Sequence, residues 1–203
     1  MFGAMEPIGP NPFKCPKLEI AVRDILGNPH GNLTDEDLAL LPETLSLTRL
    51  EISDLAGLES LTQLNKLDLF DNRVTDLSSL AAITSLTDLN LNHNQITDLT
   101  PLAELTNLTT LILNHNQIAD VKPLAGLTNL KILILGDNGV TDVKPLAGLT
   151  NLTSLVLASN KISDVTSLSA LTNLTVFLLV GNEVSAAQVA SLKQALPNCH
   201  ISS

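Results

Sequence analysis

Tryptophan and tyrosine are absent from the 203 residues of this chain, and aromatics amount to 2% of it. Large rigid anchors, which carry much of the energy of protein interfaces, are therefore nearly missing. Basic residues are also scarce: 11 Lys and Arg stand against 21 Asp and Glu, a net charge of -10. Nucleic-acid affinity rests on clustered Lys and Arg, so no nucleic-acid partner is expected. No apolar run approaches the ~18 residues of a membrane span, so membrane insertion is not expected. No charged start followed by an apolar segment marks a signal peptide. Gly-rich phosphate loops, G-x-S-x-G turns and Cys–His pairings are missing, so the chain reads as non-enzymatic and without cofactors. Cysteine is limited to Cys15 and Cys199, near opposite ends of the chain.

What is present is leucine at a fixed period. Five consecutive units of 22 residues begin at Leu61, Ile83, Leu105, Leu127 and Leu149, with no insertion between them. They follow L-T-x-L-x-x-L-x-L-x-x-N-x-I/V-x-D-L/V-x-x-L-A/S-x. A period of this size means a solenoid whose units bury their apolar faces against one another. Alternation at period two makes Leu67/Leu69, Leu89/Leu91, Leu111/Leu113, Leu133/Leu135, Leu155/Leu157 and Phe177/Leu179 inward pairs on short strands. Pro101, Pro123 and Pro145 interrupt the return paths, so these are expected as 3-10 turns and extended segments rather than α-helices. Seven such strands separate Cys15 from Cys199 by roughly 30 Å, too far for a disulfide.

The ends differ from the repeats. Residues 1–14 read as a disordered tail or leftover cloning sequence. Residues 15–42 read as a helical N-terminal cap: Leu18, Ala21, Val22, Ile25 and Leu26 are spaced on one helical face before Gly27, and Thr34 opens a second helix from Asp35 to Leu41. Residues 43–184 hold the repeats, the first of them degenerate, with Leu50 where Asn is expected. Residues 185–203 read as a C-terminal cap, with Ser185 and Gln188 as a capping box and a last short strand near Cys199–Ile201.

The unit "LTNLTTLILNHNQIADVKPLAG" and its sisters, with the end segments "LEIAVRDILG" and "SAAQVASLKQALPNCHI", resemble the 22-residue leucine-rich repeat class in its internalin-like bacterial form. The resemblance implies an α/β fold, a right-handed superhelical solenoid with a parallel concave sheet and a 3-10 or extended convex side. It also implies a protein-binding function, and a ladder of Asn72, Asn94, Asn116, Asn138, Asn160 and Asn182 that serves the turns. A secreted or cell-surface bacterial setting is favoured over an intracellular regulatory subunit of the eukaryotic phosphatase type.

Outward positions beside the inward leucines form columns along the rod. The central one runs Ser46, Asp68, Asn90, Ile112, Ile134, Val156, Leu178, polar at one end and apolar at the other. With Ile132, Val176 and Val180 the apolar end forms a patch of roughly 300–400 Å². The contact residues expected for a protein partner are Phe70, Asn92, Ile112, Asn114, Ile134, Val156 and Leu178, with His93 and His115 beside them. Two alternatives stand: self-association through the apolar half, and a metal site at His93 and His115, which share a column with Asp71 and Asp137.

Overall fold

The computed structural model describes residues 11–28 and 30–203. Each unit contributes a three-residue strand whose middle residue, leucine in all but the last unit, points into the core and whose flanking residues point out. They are β1 (Thr44–Ser46), β2 (Lys66–Asp68), β3 (Asp88–Asn90), β4 (Thr110–Ile112), β5 (Ile132–Ile134), β6 (Ser154–Val156) and β7 (Val176–Leu178). An eighth, β8 (His200–Ser202), pairs with β7. All are parallel and follow one another in chain order as a single open sheet. Successive units pair at an offset of 22 residues, as in Leu89↔Leu111 and Leu111↔Leu133, so like stacks on like.

The return side behaves as proline requires. Short 3-10 turns run at Leu58–Ser60, Ser78–Leu80, Thr100–Leu102, Lys122–Gly126, Lys144–Gly148 and Thr166–Ala170. Each is launched by a repeated Asp whose Oδ1 accepts the amide two residues on, as Asp98 does from Thr100 at 2.8 Å and Asp142 from Lys144 at 3.0 Å. That Asx turn holds the chain out of the α-helical path.

The expected inward residues are the core: Leu67, Leu69, Leu133, Leu135, Phe177 and Leu179 are each at most 2% exposed. Behind the leucines runs the asparagine ladder. Asn94 donates to Leu69 O at 2.9 Å and Leu91 O at 3.1 Å and accepts from Val74 N at 3.0 Å. Asn116, Asn138, Asn160 and Asn182 repeat this one unit on each time. Every rung ties a unit to the one before it, since a buried backbone group without a partner is costly. The "NLT" sequons of the convex side form a second ladder: Asn107, Asn151 and Asn173 each donate to the Thr carbonyl of the preceding unit at 2.8–2.9 Å.

At the ends, α1 (Pro16–Leu26) stops at Gly27 in the left-handed region, and α2 (Asp35–Leu38) carries a full capping box between Thr34 and Asp37. Four expectations change. Residues 1–10 of the expected tail lie outside the described residues, but residues 11–14 are folded: Phe13 is buried over Gly57, where a Cβ would lie 2.6 Å from its ring. Ile25 is 44% exposed, and the buried partner of Leu18 and Val22 is Arg23, which bonds Glu19 at 2.8 Å and Gly31 O at 3.0 Å. The second helix ends at Leu38 and continues to Leu41 as turns. In α3 (Ala186–Ala195), Ser185 accepts from Gln188 N, but the Gln188 side chain reaches Asp164 rather than completing the box.

Candidate partner-binding face

The strands position the candidate residues by simple alternation: with Leu111, Leu133, Leu155 and Phe177 buried, their neighbours must face out. Ile112, Ile134, Val156 and Leu178 are register partners on β4 to β7 and are half-buried in one line. Ile132 and Val176 lie alongside, and Val180 is 50% exposed. Of the phenylalanines among the described residues, Phe13 and Phe177 are buried and Phe70 reaches the surface.

Asn92 and Asn114 sit one column over, both half-buried. The Asn114 Oδ1 accepts from Gly136 N at 2.7 Å, so its oxygen is engaged within the sheet rim. A side chain at Gly136 would crowd that oxygen at 3.3 Å. The buried Oδ1 of Asn92 has no partner among the described residues.

The column of Arg49, Asp71, His93, His115, Asp137 and Ser159 has a backbone cause. All six take positive φ, between 51° and 59°, and Gly181 follows at 76°. Each unit must turn there, and Asp, His and Gly are among the residues that enter this region at least cost. Their side chains then stack along the flank. The Arg49 guanidinium lies 5.1 Å from the Phe70 ring centre, and Phe70 meets His93 edge-on at 5.6 Å. His93 stacks on His115 with ring centres 4.0 Å apart and planes 25° from parallel. His115 Nε2 is 3.6 Å from Asp137 Oδ2.

That stacking corrects the metal alternative. Imidazole lone pairs lie in the ring plane, so two nearly parallel rings cannot aim them at one ion about 2.0 Å from each. Among the described residues no three His, Cys, Asp or Glu side chains converge as ligands.

The polar half of the face holds a shallow groove of about 340 Å³ over β1–β4, lined by Lys66, Asp68, Asp88, Asn90 and Ile112 among others. Lys66 pairs with Asp88 at 3.6 Å and Arg49 with Asp71 at 3.6 Å. Asp68 accepts from Phe70 N at 2.9 Å and makes no ion pair among the described residues. The contact residues expected from the sequence omit Arg49, Lys66, Asp68 and Asp88, although all four stand in the outward columns. The columns carry no sign of which charges pair, since Arg49 and Phe70 meet only across the rungs.

The family profile described as Leucine Rich repeats (2 copies) matches residues 62–104, 84–126, 106–148 and 128–170. No curated protein matches the chain. Among solved structures, the chain is 36% identical to internalin C2 of Listeria monocytogenes, with a TM-score of 0.73 over 94% of this chain and 95% of that one. It is 29% identical to a second Listeria monocytogenes internalin, internalin F, with a TM-score of 0.75 over 94% of this chain and 63% of that one. A leucine-rich-repeat protein of Leptospira interrogans matches at 25% identity and a TM-score of 0.58, over 72% of this chain and 45% of that one. Leucine-rich-repeat proteins and internalins are protein-interaction modules. The matched repeats, the unbroken parallel sheet and the asparagine ladder together make this chain a member of the leucine-rich-repeat family, in its internalin-like bacterial form.

Proposed function

We propose that this chain is a non-enzymatic recognition module that binds a protein partner on its sheet face. The observation that supports it most is the row Ile112, Ile134, Val156 and Leu178, four register-paired apolar side chains turned away from the core. The row is not needed for packing, because Leu111, Leu133, Leu155 and Phe177 already fill the interior. Burying the patch of roughly 300–400 Å² that this row forms with Ile132, Val176 and Val180 contributes about 8–10 kcal/mol at ~25 cal/mol/Å². Association costs of about 4–15 kcal/mol offset most of that, so the polar half, Phe70 and the stacked His93 and His115 must add contacts for tight binding.

The test is capture by immobilised protein in three forms: the native chain, Ile134→Lys with Leu178→Lys, and Lys122→Glu on the convex side. A protein retained by the first and third but lost with the second supports the reading. Equal capture by all three removes it.

A further inference from the structure

The sheet face also carries information on the shape and charge of what it holds. We propose that the occupant is an amphipathic α-helix of the partner, lying along the rod with a basic end over β2–β3 and an apolar end over β4–β7. This rests on the sheet face being the recognition surface.

A helix is favoured over an extended segment by backbone accounting. The strand amides and carbonyls are consumed by the ladder, as in Leu91 N to Ile112 O at 2.8 Å and Leu113 N to Ile134 O at 2.7 Å. A chain laid across those strands finds no backbone partners. An extended one would bring its own amides and carbonyls unpaired, whereas a helix has satisfied its own. Width agrees as well. The outward residues of one unit, such as Thr110, Ile112 and Asn114, span roughly 13 Å of extended chain, which accepts a helix about 10–12 Å across. Eight strands spaced ~4.8 Å give a trough of roughly 34 Å, or about 22 helical residues.

A foreign helix is favoured over a second copy. The apolar patch supplies at most half of the ~800 Å² per partner of a stable interface, and the polar half, identical on both copies, would set Asp68 against no excess of cations.

Polarity follows from the two halves. Lys66 is occupied by Asp88 and Arg49 by Asp71, which leaves Asp68 as the groove carboxylate without a cation among the described residues. Asp68 on β2 and Ile134 on β5 are three rungs apart, roughly 14 Å. That equals about nine helical residues between a Lys or Arg and the centre of an i, i+3, i+4, i+7 apolar cluster.

The probe is a lactam-stapled 22-residue peptide with leucines at those spacings in one half and two lysines in the other, beside a twin with glutamates for the lysines. Fluorescence anisotropy with the whole chain should show the lysine peptide binding about tenfold tighter than its twin. Asp68→Asn should remove most of that preference. The variant keeps the acceptor for Phe70 N, as Asn90 does for Asn92 N at 3.1 Å. Ile134→Lys, or Val156→Lys should the first misfold, should abolish binding of both peptides. No saturable binding, equal binding of the twins, or binding indifferent to both lysine variants overturns the proposal. If the peptides fail while a protein is still captured through Ile134 and Leu178, the helical occupant falls and the sheet-face reading stands.

Discussion

Asparagine appears in this chain in two ladders, and burial decides what each residue is worth. Asn160 is 8% exposed, donates to Leu135 O and Leu157 O at 3.0 Å and accepts from Val140 N at 3.0 Å. Asn173 is exposed and makes one bond, to Thr150 O at 2.8 Å. Asn160→Ala leaves the buried Val140 N unpaired, while Leu135 O and Leu157 O each keep one amide, from Asn138 and Asn182. It should cost about 1–3 kcal/mol, and Asn173→Ala, where water replaces the lost partner, under about 1 kcal/mol. Urea unfolding of the two variants measures the difference, and equal losses would contradict the account. The left-handed column supplies a second residue-scale expectation. His115 sits at φ 51°, which a β-branched side chain resists. His115→Val should lower stability by about 1–2 kcal/mol, whereas His115→Gly should be close to neutral because glycine enters this region freely. Thermal melts of the pair decide it. The identity of this column was readable as a pattern, Asp and His recurring every 22 residues, but its cause was not. A shared position invites a chemical explanation, and only the backbone angles reveal that the turn selects these residue types before any ligand does.

At the scale of one element, the Asx turn is where solution pH should be felt. Asp76 Oδ1 accepts from the Ser78 hydroxyl at 2.6 Å and its amide at 2.8 Å, and Asp164 accepts from the Thr166 hydroxyl at 2.7 Å and its amide at 3.0 Å. These bonds, the hydroxyl first, hold both carboxyls below the ordinary carboxylate value. A depressed folded pKa contributes stability that is fully present above the unfolded value of about 3.9 and is lost as pH falls through the lower folded one. The protein should therefore lose stability below about pH 4. Asp76→Asn with Asp164→Asn keeps the acceptor oxygens without the titration and should flatten the loss, which denaturant midpoints at pH 7, 4 and 3 would show. The strands and turns themselves were legible from period two and from Pro101, Pro123 and Pro145. The caps were less so. Ile25 matches a helical face by spacing yet is exposed, because Arg23 takes the inner place by bonding Glu19 and the carbonyl of Gly31. Spacing cannot report a partner eight residues away in a loop.

Across the whole molecule, each unit touches only its neighbours, and the identical offset of 22 residues makes units interchangeable in a way that caps are not. If residues 127–148 are removed, β4 meets β6 and the asparagine ladder closes again: Asn160 stands where Asn138 stood, ready to donate to Leu113 O and accept from Ile118 N. The shortened chain should fold with an unchanged circular-dichroism shape. Its urea m-value should fall by roughly a tenth, in proportion to the surface removed. Removing residues 185–203 is a different operation on nearly the same number of residues. It takes away Val189, Leu192, Leu196 and Ile201, the lid over Phe177 and Leu179, and it breaks the bond from Leu179 N to Ser202 O. The exposed end then offers a flat apolar face beside a free strand edge, the combination that drives edge-to-edge association. Size-exclusion chromatography should find the first variant at its monomer position and the second in aggregates or unfolded. A well-behaved monomer from the second would mean that the last repeat closes the solenoid by itself.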